Sequence, residues 1–248
     1  MKSRKYGLST IVLVMIATIL GCGQKETGPV VTAEQATGET RTAEYKTRDG
    51  WTIRGDLYEP QTASKGLVIL LHQRSGSADD WHPLALALKQ AGYTALALDQ
   101  RGTGRSTNGP GQTGDLAPWN TEGDIEGGLY ALKAKWPAML VGASYGANNA
   151  LLYAAAHPDQ VRSLVLFSPS TNYNNLKTTD AVKTYAGPLL IFHQKDDKIA
   201  GSGPATLNSM SGSKDHKLEV HDGSGHGTAL LNTATTQETV DFIVRTLK

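Results

Sequence analysis

From about Thr42 to the C-terminus, short apolar runs alternate with stretches of helical periodicity. Thr42–Thr47 and Trp51–Tyr58 alternate polar and apolar positions around Asp49-Gly50, a turn dipeptide, and predict an opening hairpin. Gly66–His72 is almost continuously apolar, as expected of a strand covered on both faces. Trp81, Leu84, Ala85 and Leu88 then recur at helical spacing, with Asp79 or Asp80 as cap, Pro83 in the first turn and Gly92 as the stop. Further strands are predicted over Tyr93–Asp99, Ala138–Gly142, Val161–Phe167, Leu189–His193 and Leu218–His221. Helices are predicted around Asp124–Lys135, over Ala147–Ala156, and at the C-terminus, where Val240, Ile243, Val244 and Leu247 share a face. This order implies βαβ units: an α/β fold with a mostly parallel central sheet and helices on both faces. No insertion is long enough for a large lid domain, and Ser170–Gly187 is the one candidate for a small flap.

The first residues follow a different pattern. Lys2, Arg4 and Lys5 precede an apolar run from Leu8 to Leu20. That run is about 13 residues, short of the roughly 20 that span a bilayer, and has the length of a signal-peptide core. It ends in Ile19-Leu20-Gly21-Cys22, which resembles the lipobox of bacterial lipoproteins, and Cys22 is the only cysteine in the chain. The resemblance implies a signal peptide over residues 1–21 and lipidation at Cys22. It places the protein at the bacterial cell envelope, anchored to a membrane with its domain outside the cytoplasm. Residues 22–41, rich in Gln, Glu, Thr and Gly, are expected to form a flexible tether, leaving 42–248 as the folded domain.

The 248 residues are 39% hydrophobic, which suits one globular domain, and the formal net charge of +1 gives no reason to expect a nucleic-acid partner. A lone cysteine excludes an intramolecular disulfide and a cysteine-based metal site.

The chemistry concentrates at Gly142-Ala143-Ser144-Tyr145-Gly146, a G-x-S-x-G sequence between a predicted strand and a predicted helix. No other serine here has glycine at both i−2 and i+2. A sharp strand-to-helix turn lifts such a serine above the sheet edge and aims the Tyr145 N–H at a developing oxyanion. Serine needs a base. Of seven histidines, His226 in Gly223-Ser224-Gly225-His226-Gly227 follows the last strand, at the same edge as the Ser144 turn. His221 is the alternative, whereas His82, His157 and His216 sit in helical or surface contexts. The acid is expected just after Leu189–His193, where Asp196 and Asp197 stand together; Asp197 is preferred. Ser144, Asp197 and His226 fall in nucleophile–acid–base order. A second oxyanion donor is expected from the backbone of Arg74, or of Gln73, in the loop after Gly66–His72.

Together these features resemble the α/β-hydrolase superfamily from about Thr42 to the C-terminus. Asp99-Gln100-Arg101-Gly102-Thr103-Gly104-Arg105-Ser106 is similar to that family's D-x-R-G-x-G-x-S turn, which is structural. The chain departs from the family pattern at Gln73 and at Gln194, where glycine is common. The resemblance implies hydrolysis of a small-molecule ester or related acyl bond through an acyl-enzyme, with no metal and no cofactor. Alternatives are a peptidase or deacylase of envelope material, or a non-catalytic binding lipoprotein on the same scaffold. Arg74, Arg101 and Arg105 suggest a cationic rim to the site.

Overall fold

The computed structural model describes residues 34–37, 40–107, 109–110, 121–134 and 137–246. Cys22 and the segment before it lie outside these residues.

Three antiparallel strands begin the described fold: β1 (Glu34–Thr37), β2 (Thr40–Lys46) and β3 (Thr52–Tyr58). β3 runs antiparallel to β5 (Thr94–Asp99). From β5 inward every pairing is parallel, through β4 (Leu67–Leu71), β6 (Ala138–Ala143), β7 (Val161–Phe167), β10 (Leu189–Gln194) and β11 (His216–His221). The order across this nine-stranded sheet is β1-β2-β3-β5-β4-β6-β7-β10-β11. A separate two-stranded ribbon pairs β8 (Asn172–Tyr173) with β9 (Leu176–Lys177).

The strand period of two divides the apolar residues between two cores. On one face Ile69, Leu71, Leu96, Leu98 and Leu140 pack under α2 (Glu122–Ala131), α3 (Tyr145–Ala156), α4 (Thr179–Thr184) and α5 (Gly203–Ser209). On the other, Val68, Leu70, Ala95, Ala97 and Val141 meet α1 (His82–Gln90) and α6 (Thr233–Thr246). Both faces are covered, which is why the central strands read as unbroken apolar runs.

Several expectations shift. Most of the tether expected over 22–41 lies outside the described residues, and within it Glu34–Thr37 is a strand paired with β2. That strand is held by backbone hydrogen bonds and carries no apolar alternation. The first helical turn is capped at Ser77, with Asp80 returning its carboxylate to the Ser77 N–H at 3.3 Å. α2 stops at Ala131, short of Lys135. Asn232 caps α6 by accepting the Ala234 N–H at 2.8 Å, so that helix starts well before its apolar stripe. The 170–187 segment holds the ribbon and α4, and it is tied to α3. Asn148 donates to Ser170 Oγ (3.1 Å) and Leu176 O (3.2 Å), and accepts the Ser170 N–H (3.0 Å). Among the described residues there is no large lid.

All the parallel strands end at one sheet edge. The segments leaving β4, β6, β7, β10 and β11 therefore bring His72–Ser77, Ser144, Ser168, Asp197 and His226 to the same rim.

Candidate active site

Ser144 connects β6 directly to α3 with φ +51° and ψ −112°, a backbone conformation that side chains rarely adopt. The Ser144 N–H donates to Phe167 O at 2.8 Å, and Ser144 O accepts the Asn148 N–H at 3.0 Å. The flanking glycines are sterically required. A Cβ on Gly142 would lie 2.5 Å from Gly146 O and 2.6 Å from Ala147 Cα. A Cβ on Gly146 would overlap Leu71 O and come within 2.6 Å of His72 O. The turn thus packs directly against the end of β4.

His226 Nε2 stands 2.7 Å from Ser144 Oγ. Its Nδ1 lies 3.0 and 2.9 Å from the two Asp197 carboxylate oxygens. Asp197 is 3% exposed, and its Oδ1 also accepts the Ile199 and Ala200 N–H groups at 3.0 and 3.1 Å. Burial pushes the Asp197 carboxyl up, but hydrogen bonds from Ser168, Ala200 and His226 outweigh it and hold the group below its ordinary value. Acceptance of the Nδ1–H by a carboxylate leaves Nε2 as a lone-pair acceptor toward the serine hydroxyl.

The other expected residues separate cleanly. Asp196 is exposed, and its N–H donates to Gly223 O at 2.9 Å. His221 packs against Phe192 and faces Glu238 across 3.7 Å. His82 meets the Tyr58 hydroxyl, His157 meets Glu122 and His216 meets Asn208.

The loop after β4 is organised by His72, which is fully buried. Its Nδ1 donates to Gln73 O at 2.7 Å, and its Nε2 accepts the Gln100 N–H at 3.1 Å. Gly76 N–H also donates to Gln73 O, at 2.9 Å. The Gln73 carbonyl and the Arg74 N–H belong to one planar trans peptide, so fixing the carbonyl fixes the direction of that N–H on its opposite side. Tyr145, whose N–H is the other expected donor, begins α3 where Gly146 touches the end of β4.

The α/β-hydrolase fold family matches residues 66–187, and the mostly parallel sheet covered by helices on both faces agrees with it. The chain belongs to the α/β-hydrolase superfamily. A monoacylglycerol lipase of Mycolicibacterium smegmatis is 30% identical over 124 residues, covering 50% of this chain and 44% of the lipase. An epoxide hydrolase of Caballeronia sordidicola is 36% identical over 108 residues, covering 44% of this chain and 32% of that enzyme. The chain thus spans less than half the length of these curated relatives. Among solved structures, an esterase of Pyrococcus furiosus superposes with a TM-score of 0.71 at 18% identity, covering 89% of this chain and 100% of the esterase. Est1E of Butyrivibrio proteoclasticus, solved with ferulic acid bound, gives 0.67 at 18% identity, covering 80% and 97%.

In this α/β-hydrolase chain two of the three arginines expected at a cationic rim are paired with carboxylates. Arg101 is 4% exposed and binds Asp124 (2.7 Å) and Asp49 (2.6 Å). Arg105 binds Asp99 (2.5 Å) and Asp56 (2.8 Å). Both guanidiniums are neutralised by carboxylates that anchor the turn after β5. Sequence reasoning also missed Ser168. It is buried, takes φ +50°, and reaches both Asp197 and the Gly227 N–H. Its only sequence signal is its place after an apolar strand that ends at the same sheet edge as Ser144.

His72 makes a prediction in solution. Burial is the largest influence on it and holds its pKa below the ordinary 6.5, against the opposing pull of Gln73 O and Asp99. Between the folded value and 6.5 the unfolded chain binds a proton that the folded chain refuses, so stability falls as pH drops through that window. The contribution from one such group is at most about 1.4 kcal/mol per pH unit. Urea unfolding from about pH 8 to 5 should show this slope in the native chain and a shallower one in His72→Asn. An unchanged slope in the variant would refute the assignment.

Proposed function

We propose that the protein is a serine hydrolase that cleaves a carboxylic ester, or a related acyl bond, through an acyl-enzyme. The observation that carries this reading is the 2.7 Å approach of His226 Nε2 to Ser144 Oγ, with Nδ1 held by buried Asp197. In the first step Ser144 Oγ bonds to the substrate carbonyl carbon while its proton passes to His226 Nε2. The carbonyl oxygen becomes an oxyanion facing the Tyr145 and Arg74 N–H groups. Collapse breaks the bond to the leaving group, which takes the proton from His226. Water then repeats the sequence, giving the acid product and free Ser144. A serine nucleophile favours acyl chemistry over epoxide opening: an epoxide would leave an ether on Ser144, which water at this site could not cleave as it does an ester.

The test is labelling of the full-length chain with a fluorophosphonate, followed by mapping of the modified peptide. Hydrolysis of p-nitrophenyl esters of increasing acyl length is measured in parallel. Labelling at Ser144 with ester turnover is expected. A folded chain that neither labels nor turns over any ester would overturn the reading.

We further infer that Cys22 carries the lipid that tethers this domain to an envelope membrane, on the support of the Leu20-Gly21-Cys22 pattern after a short apolar run. Mass spectrometry of protein from a bacterial host should show cleavage before Cys22 and added acyl mass. An unmodified Cys22 would sink the idea.

A further inference from the structure

Three side chains from three different strand ends hold the loop that carries His226. The Gly225 N–H donates to Gln194 Oε1 at 2.5 Å, the Gly227 N–H to Ser168 Oγ at 3.1 Å, and the Thr228 N–H to Gln73 Oε1 at 2.7 Å. The holders stand at the ends of β10, β7 and β4, and they grip the loop on both sides of the imidazole. The fit is close. A Cβ on Gly223 would lie 2.5 Å from Gln194 Oε1, one on Gly225 2.9 Å from the same atom, and one on Gly227 would overlap Gln73 Oε1.

The loop needs such holding. Gly223, Gly225 and Gly227 give it wide backbone freedom, and Gly223 and Gly227 use positive φ values of +125° and +61°. Left to itself, a chain of this composition would spread the imidazole over many positions, and proton transfer requires one. Ser168 has a second link: its hydroxyl hydrogen-bonds to Asp197 while accepting the Gly227 N–H, so one side chain ties the acid to the base loop. It does so from a strained φ of +50°, fixed by its own N–H to Phe192 O at 2.9 Å.

We propose that Gln73, Ser168 and Gln194 form a three-point clamp that positions His226 for proton transfer with Ser144. The proposal deepens the serine-hydrolase reading and rests on it. All three are positioning residues, acting through His226 without contacting the reacting atoms. Gln73 has a double part, because its side chain holds the base loop while its backbone carbonyl orients the Arg74 N–H.

The experiment compares Gln73→Ala, Ser168→Ala and Gln194→Ala with Gln73→Glu and Gln194→Glu in the full-length chain. Readouts are kcat and KM for p-nitrophenyl acetate, the pH profile of kcat/KM, and amide hydrogen exchange at Gly225, Gly227 and Thr228. Each alanine variant should lose about 10- to 100-fold in kcat with KM nearly unchanged, the scale of a small misplacement of a reacting group. Each should also speed exchange at the amide it had held. The glutamate variants keep an acceptor oxygen, so they should regain most of kcat. Their added charge stabilises the imidazolium and should move the acid limb of the profile to higher pH. Folded alanine variants with native kcat would overturn the clamp, as would glutamate variants no better than alanine. If the native chain neither labels nor hydrolyses esters, the hydrolase reading fails separately, and exchange alone decides. Unprotected Gly225, Gly227 and Thr228 amides in the native chain then reject the clamp, and protection lost at the matching amide in each alanine variant supports it.

Discussion

Replacing Ser144 by alanine is expected to lower ester turnover by at least about 10⁴-fold and to abolish fluorophosphonate labelling, with no loss of fold stability. The residual rate would come from the oxyanion donors and substrate binding, which the substitution leaves in place. Stability is preserved because the hydroxyl is not what holds the elbow. The turn is fixed by the Ser144 N–H to Phe167 O, by Asn148 N–H to Ser144 O, and by the close packing of Gly142 and Gly146. Backbone strain gives a second, independent reading. At φ +51° and ψ −112° a residue with a Cβ costs on the order of 1–3 kcal/mol. Alanine keeps that Cβ and glycine does not. Ser144→Gly should therefore be more stable than Ser144→Ala by roughly 1 kcal/mol, after allowing for the greater freedom of glycine in the unfolded chain. Urea unfolding of both variants measures the difference, and equal stabilities would show that the elbow stores no strain. The same conformation that weakens the fold presents Oγ to His226.

Much of this was legible in the chain because the local pattern and the tertiary demand coincide. The unbroken apolar run Gly66–His72 predicts a strand covered on both faces, and the fold divides Val68 and Leu70 from Ile69 and Leu71 between two cores. The elbow was legible for a steric reason: Gly142 and Gly146 sit where any Cβ would strike backbone, and such positions leave a mark in sequence. What stayed hidden depends on contacts between distant positions. Arg101 and Arg105 look like free cations until Asp49 and Asp56 arrive from 52 and 49 residues away. Gln73 and Gln194 read as departures from a family pattern, and only the fold shows each accepting an N–H from the His226 loop. Ser168 lies in Ser168-Pro169-Ser170 with no motif around it, and its use emerges only when β7 and β10 end side by side. β1 was missed because Glu34-Gln35-Ala36-Thr37 pairs through its backbone and offers no apolar period.

Asp197→Asn should reduce kcat by about 10⁴-fold, whereas Asp196→Asn should leave kcat and KM close to native. The two residues are adjacent and chemically identical, so the contrast isolates position. Both carboxylate oxygens of Asp197 face His226 Nδ1, and Oδ1 also takes the Ile199 and Ala200 N–H groups. Asparagine has one acceptor oxygen to share among these donors. If that oxygen stays with the two backbone amides, the NH₂ group points at Nδ1 and forces the proton to Nε2. The imidazole then meets the Ser144 hydroxyl as a donor and cannot accept its proton. Even with the amide turned the other way, the charge that stabilises the imidazolium is gone. Asp196 points into solvent and supplies only backbone contact, so its charge reaches His226 through water. Stability provides a parallel signature. A carboxyl held below its ordinary value of 3.8 adds stability above that pH and loses it as pH falls through the folded value. The native chain should therefore weaken below about pH 4 by an increment that Asp197→Asn lacks and Asp196→Asn retains. Steady-state kinetics near neutral pH and urea unfolding at about pH 7 and pH 3 read both effects. A larger loss of kcat in Asp196→Asn than in Asp197→Asn would reassign the acid.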